Sequence, residues 1–149
     1  RLASLGLWDA LEAAARAPAT HGDRVYARTG ATGARGEAGA GFPAARNAKA
    51  ALEGFLAQGY APEDAAALTL PIIMAKLDDT NVLHRGGEEG LAYAQISAAR
   101  VNALPVGERL KALHTLDEAF ICRNLSPGGC ADVLSLALLM KAIGDFVEL

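Results

Sequence analysis

Between Pro43 and Gln58 apolar residues return at helical spacing, at Ala48, Ala51, Leu52, Phe55 and Leu56. A proline opens the run and Gly59 stops it, which is the punctuation of an amphipathic helix. One such stripe must be buried against another, and the chain supplies several. Pro62 to Asp79 begins Pro-Glu-Asp, acidic where the helix dipole prefers it, and carries Leu68, Ile72 and Met74. Pro71 within it predicts a kink, because it removes one backbone donor. Glu88 to Leu104 carries Leu91, Ile96 and Val101, and Pro105 ends it. Gly107 to Asn124 turns Leu110, Leu113, Leu116 and Phe120 inward, and a last apolar helix runs to about Phe146.

Upstream, Leu5 to Ala17 reads as a helix with Leu7, Trp8, Leu11 and Ala15 on one stripe, Trp8 serving as core or interface. His21 to Thr29 adds two turns, with Arg24 and Arg28 on one water-facing side. The 33 alanines and the 5% of aromatics favour closely approaching helices over sheets. The expected fold is all-α, one helical-bundle domain of six to seven helices spanning 1–149, joined by glycine-rich loops.

Three of the connectors carry more chemistry than a corner needs. In KLDDTNVLHRGG, Lys76 to Gly87, the adjacent Asp78 and Asp79 fall in the last turn of a helix, where acidic side chains call for a nearby cation. Gly86 and Gly87 open the next helix, whose first N–H groups suit an anion. A cation site beside an anion site suggests a metal-polyphosphate ligand. Gly30 to Pro43 is either a flexible linker or a loop wrapped around a ligand, with Arg35 and Glu37 planted in its middle. It has neither the Gly-Lys-Ser/Thr of a phosphate loop nor the three glycines of a dinucleotide fingerprint. In NLSPGGCAD, Asn124 to Asp132, the turn Ser126-Pro127-Gly128-Gly129 feeds a helix N-terminus able to hold an anion. Asp132 there either steadies the helix dipole or reaches a metal. If the three loops converge at one end of the bundle, they line a nucleotide-triphosphate site with a divalent cation.

Charge and cysteine usage narrow the class further. A net charge of −3 provides no positive field for a nucleic-acid backbone. The longest apolar run, Val133 to Met140, is shorter than the ~20 residues a bilayer span needs. Cys122 and Cys130 do not make a disulfide framework or a zinc ribbon, so two buried thiols in a reducing cytoplasm are expected. His114, beside Leu113, is read as packed or surface-exposed and is given no chemistry. A homo-oligomer is compatible with this pattern.

RGEAGAGFP (Arg35 to Pro43), DDTNVLHRGG (Asp78 to Gly87) and NLSPGGCAD (Asn124 to Asp132) resemble the successive signatures of the triphosphoribosyl-dephospho-CoA synthases. These are all-helical enzymes that build the prosthetic-group precursor for the acyl carrier subunits of citrate lyase and malonate decarboxylase. The resemblance covers essentially the whole chain. Family members are longer, with further motifs in their first half, and this chain starts Arg1-Leu2-Ala3 without methionine. It is expected to be the C-terminal half, whether as a truncation, a proteolytic product or one subunit of a split enzyme. It departs from the family at Cys130, where a serine typically follows Gly-Gly; a thiol is the weaker hydrogen-bonding group.

The resemblance implies that ATP donates its triphosphoribosyl group to the 2′-hydroxyl of 3′-dephospho-CoA and releases adenine, through a sugar with oxocarbenium character. It implies Arg85, the Gly86 and Gly87 amides and Arg35 as triphosphate contacts, with Ser126, Gly128 and Gly129 as a further phosphate-binding turn. Mg²⁺ would be held by Asp78 or Asp79, with Asp132 as a further candidate ligand. Asp79 is the first choice among the acids, and Glu37 would be the base that assists the incoming hydroxyl. The acid that helps adenine leave would come from the missing N-terminal half. Two other readings remain: a Mg²⁺-dependent hydrolase of ADP-ribose-like substrates, and a nucleotide-binding helical subunit with no activity of its own. Citrate lyase and malonate decarboxylase pathways are not distinguished.

Overall fold

The structure, a computed structural model, describes residues 33–147 together with Asp9, Ala13, Arg16, Ala27 and Gly30. Among the described residues there are six helices and no strand. They are α1 (Gly33–Gly39), α2 (Pro43–Ala57), α3 (Pro62–Met74), α4 (Thr80–Ala103), α5 (Val106–Cys122) and α6 (Gly128–Val147). Asp9, Ala13, Arg16 and Ala27 are helical and exposed. Otherwise the two helices expected at 5–17 and 21–29, with Trp8, Arg24 and Arg28, lie outside the described residues.

Helices α2, α3 and α6 pack against one another in the middle of the bundle; α4 lies along α3, and α5 packs on α3 and α4. The alanines account for how closely they approach. Ala45, Ala48, Ala98 and Ala137 are all within 1% of complete burial, beside Ile73, Met74, Val82, Cys130 and Val133. A second cluster, Leu52, Phe55, Ala65 and Leu68, closes the α2–α3 hairpin. On α5 only Phe120 is fully buried; Leu110, Leu113 and Leu116 are half-buried. At the far end, Arg109 donates to the carbonyls of Asn102 (2.6 Å) and Leu104 (2.9 Å), tying α5 to the end of α4. No helix among the described residues is long and apolar enough to cross a membrane.

Four expectations change. The glycine-rich stretch from Gly30 to Pro43 is not a loop throughout: Gly33–Gly39 is helical, and only the residues around Gly41 and Phe42 turn the chain. Helix α3 ends at Met74 rather than Asp79, and Asp79 is instead the N-cap of α4. The reason is local: an aspartate offers its oxygens to backbone N–H groups, which makes it a better first residue than last. Gly87 interrupts α4 with φ 63° and ψ −162°, so Thr80–Gly86 forms a short first segment and the longer helix resumes after it. A residue with a Cβ would be strained in that conformation. Finally, Ile96 and Cys122 are exposed, where the sequence suggested an apolar stripe and a buried thiol.

Candidate active site

Asp79 sits at the junction of two of the three motifs. It is only 2% exposed. Its Oδ1 accepts from the backbone N–H groups of Asn81 (2.8 Å) and Val82 (3.2 Å), capping α4. Its Oδ2 accepts from the N–H of Cys130 (2.8 Å), in the first turn of α6. One carboxylate therefore holds two helix N-termini side by side, and their dipoles supply the positive partner that its burial demands. Residues packed around it need to be small. A Cβ on Gly128 would stand 2.4 Å from Nδ2 of Asn81, and one on Gly129 would stand 3.3 Å from the Asp79 carboxylate. Leu125 reaches over Gly86, where a Cβ would meet it at 2.5 Å, and Arg85 donates to the side-chain oxygen of Asn124 at 3.0 Å. The second and third motifs are thus one interlocked unit, closed by contacts along its whole length.

The Cys130 thiol is buried against this junction, and its pKa is driven far above that of an ordinary thiol. Burial is the main cause, followed by the charge of Asp79 and a hydrogen bond to it. Here Cys130 is a neutral packing group, while Cys122 is a free, exposed thiol.

The first motif arrives from the other side. Glu37, near the end of α1, accepts from the N–H of Ala44 at 2.9 Å through Oε2, and so caps α2 from outside. Phe42, the residue at the α2 N-cap, contributes no capping group and takes a left-handed backbone (φ 57°, ψ 54°). Such a conformation costs a non-glycine residue about 1–3 kcal/mol. Phe42 and Glu37 then line a cavity of about 210 Å³ together with Leu77, Asp78, Thr80, Gly129 and Asp132. Asp78 is exposed there and accepts from Nε2 of Gln95 at 3.1 Å; Asp132 is exposed, and its carboxylate carries no hydrogen bond among the described residues.

Of the residues singled out in the sequence, the cavity gathers Glu37, Asp78, Asp79, Gly129 and Asp132. Arg85, Gly86 and Gly87 are not among its lining residues; Arg85 is engaged with Asn124, and Gly86 lies beneath Leu125. Gly128 faces Asn81, and Ser126 borders a separate apolar groove with Leu116 and Phe120. The Arg35 backbone belongs to α1, but its side chain lies outside the described residues. The other lining residues, Phe42, Leu77, Thr80, Asn81, Val133 and Leu136, carry no site role in the sequence reading. Thr80 adjoins Asp79 in the motif, so an N-cap reading of that aspartate would have brought it into the site.

Among the described residues no three His, Cys, Asp or Glu side chains converge to hold a metal. Of the four carboxylates that line the cavity, Asp78 and Asp132 are exposed, beside the opening residues of α4 and α6. That donor set suits Mg²⁺ carried by a polyphosphate, since Mg²⁺ typically takes one or two carboxylates and completes its shell with phosphate oxygens and water.

Known proteins match this chain along almost its whole length. Residues 4–148 match the family model described as ATP:dephospho-CoA triphosphoribosyl transferase. The chain is 48% identical over 123 residues to the 2-(5''-triphosphoribosyl)-3'-dephosphocoenzyme-A synthase of Pectobacterium atrosepticum, covering 82% of this chain and 40% of that protein. Proteins described as probable synthases of the same name are 46% identical in Pectobacterium carotovorum (82% of this chain, 40% of that protein) and 43% in Citrobacter koseri (85% and 43%). The chain spans about two fifths of the length of these relatives. No solved structure matches it. With all three motifs falling inside the matched residues, the chain belongs to the ATP:dephospho-CoA triphosphoribosyl transferase family.

Proposed function

We propose that this chain forms the nucleotide-handling part of a triphosphoribosyl-dephospho-CoA synthase. The enzyme moves the triphosphoribosyl group of ATP to the 2′-hydroxyl of 3′-dephospho-CoA and releases adenine. The observation that carries the reading is the meeting of Glu37, Asp78 and Asp132 with the first turns of α4 and α6 at one cavity. Asp79 takes the N–H groups of Asn81, Val82 and Cys130, and the first-turn amides of Thr80 and Gly129, which also line the cavity, are left for phosphate oxygens. Asp78 and Asp132 are the side chains that would hold Mg²⁺, which would neutralise the triphosphate.

Glu37 is the base. Its Oε2 is fixed by Ala44, and its Oε1 carries no hydrogen bond among the described residues. The acceptor's O–H attacks C1′ of the ATP ribose; the new O–C1′ bond forms as the C1′–N9 bond breaks. The hydroxyl proton passes to Oε1 of Glu37, and adenine leaves with the electron pair and takes up a proton at N9 from an acid of the portion that this chain does not span. Asp79 plays a different part. With both oxygens committed to three N–H groups, it builds the site and stays out of the chemistry.

The activity is proposed for a cytoplasmic enzyme comprising this chain and the portion of the relatives that it does not span, whether joined or as a separate subunit. To test it, the chain is combined with that portion, ATP, Mg²⁺ and dephospho-CoA, and adenine and the acceptor's mass are followed. Adenine release that depends on dephospho-CoA is the expected result. Release at the same rate without it would favour hydrolysis of the nucleoside bond, and nucleotide binding with no release would leave a regulatory helical module. Glu37→Gln should lower the rate by about 10²-fold or more, as expected for loss of a general base.

A further inference from the structure

Glu37 belongs to the walls of two cavities. Beyond the one just described, a second of about 190 Å³ opens on the other side of Glu37 and Leu77, between α2 and the end of α3. Its character is different. The first cavity has carboxylates and helix N-termini; the second has an apolar floor of Ala48, Ile72 and Ile73, with the amide of Asn47 and the ammonium of Lys76 at its exposed rim. Neither alone reaches the ~300–1,000 Å³ of a typical small-molecule site, so each suits one fragment of a larger ligand pair.

A transferase that joins two nucleotides needs two such compartments with the proton acceptor between them. We infer that the second cavity is the acceptor's subsite, taking a nucleotide with a free ribose 2′-hydroxyl. Its base would lie on the Ile72–Ile73 floor, its phosphates beside Lys76 and its hydroxyl at Glu37. This rests on the synthase reading above and adds which wall binds which substrate. The apolar floor fits the flat face of a purine, and a single cation at the rim fits a phosphate. A Mg²⁺-bound triphosphate is better served on the acidic side, where two carboxylates stand with helix N-termini. The geometry of the transfer follows. Glu37 and Leu77 line both cavities, so the hydroxyl and C1′ of the donor would meet beside Glu37, where the two compartments adjoin.

The test is equilibrium binding to this chain combined with the portion of the relatives that it does not span, titrating 3′-dephospho-CoA and Mg²⁺-ATP separately by calorimetry. Lys76→Ala and Asn47→Ala, both at exposed positions, should each weaken dephospho-CoA by about tenfold and leave Mg²⁺-ATP within about twofold, while Lys76→Arg recovers most of the loss. Asp132→Asn should do the reverse, weakening Mg²⁺-ATP alone. If the parent protein binds both nucleotides and the Lys76 variant changes neither, or weakens both equally, the subsite assignment is overturned while the synthase reading stands. Binding of Mg²⁺-ATP without any binding of dephospho-CoA likewise removes the subsite from this chain. If the parent protein binds neither nucleotide, the synthase reading of this cavity pair fails with it.

Discussion

Replacing Asp79 separates its structural work from the chemistry that an acid in this motif invites. The carboxylate accepts three backbone N–H groups at 2.8–3.2 Å, two from α4 and one from α6, and is almost wholly buried. Loss of an N-cap side chain costs about 0.5–2 kcal/mol, which covers the two bonds within α4. The bond to Cys130 joins helices far apart in sequence, and a hydrogen bond to a charged group contributes about 1.5–3 kcal/mol. Asp79→Ala should therefore destabilise the chain by roughly 2–5 kcal/mol, a large part of the ~5–15 kcal/mol that holds a typical domain together. Asp79→Asn should fall between. Its oxygen can still cap α4, but its NH₂ would face the Cys130 N–H, donor against donor, so only the α6 tie is lost. Asp78→Ala provides the contrast: an exposed side chain with one bond to Gln95 should cost no more than about 0.5 kcal/mol. Urea unfolding followed by far-UV circular dichroism ranks the four proteins. An Asp79→Ala variant within about 0.5 kcal/mol of the parent, or one no worse than Asp78→Ala, would refute the clamp.

Three further outcomes follow from the same geometry. Gly128→Ala should destabilise by roughly 1–3 kcal/mol because its Cβ would overlap Asn81, and Asn81→Ala in the same chain should restore most of the loss; unfolding of the single and double variants reads the coupling directly. Iodoacetamide applied to the folded chain at mildly alkaline pH should modify Cys122 and spare Cys130, with both alkylated only after denaturation; peptide mass mapping locates the label. Because the Cys130 pKa is raised in the folded state, its contribution is fully present below the unfolded thiol value of about 8.5 and is lost as pH rises above it. Stability measured from pH 7 to 10 should fall on the alkaline side, and Cys130→Ala should flatten that fall.

The helical architecture was legible because it depends on period alone. The stripe from Ala48 to Leu56 and the stop at Gly59 require no knowledge of the partner helix, and α2 ends one residue before Gln58. The site was legible only in part. Glu37, Asp78 and Asp132 carry charges that a plain connector does not need, and they do share a cavity. Asp79 was read with the wrong helix because an aspartate between two apolar runs can close one or open the next. The choice lies in three N–H groups, one of them 51 residues away in sequence. The hydrogen bond of Arg85 to Asn124 was not legible at all, because Asn124 is supplied by a loop that no periodicity connects to it. Lys76 and Asn47 went unassigned in the sequence because each is an ordinary exposed residue of a helix or its end. What gives them meaning is the cavity between α2 and α3, which exists only after packing.

The interlocking of the second and third motifs also explains why a cysteine can stand at position 130, where the resemblance leads one to expect a serine. The bond that matters at position 130 comes from its backbone N–H, which any residue but proline provides, so the side chain has no capping role to fill. What the site demands of that side chain is small volume and no charge next to Asp79, within 1% of complete burial. A thiol pushed strongly toward its neutral form satisfies both. Gly128 and Gly129 are constrained more tightly than Cys130, because a Cβ at either would press on Asn81 or on the clamp itself. The prediction is an order of tolerance: Cys130→Ser and Cys130→Ala should cost about 1 kcal/mol or less, below either glycine substitution. Unfolding midpoints for the four variants decide it, and a serine variant less stable than Gly128→Ala would mean that the thiol, rather than the backbone around it, holds the two motifs together.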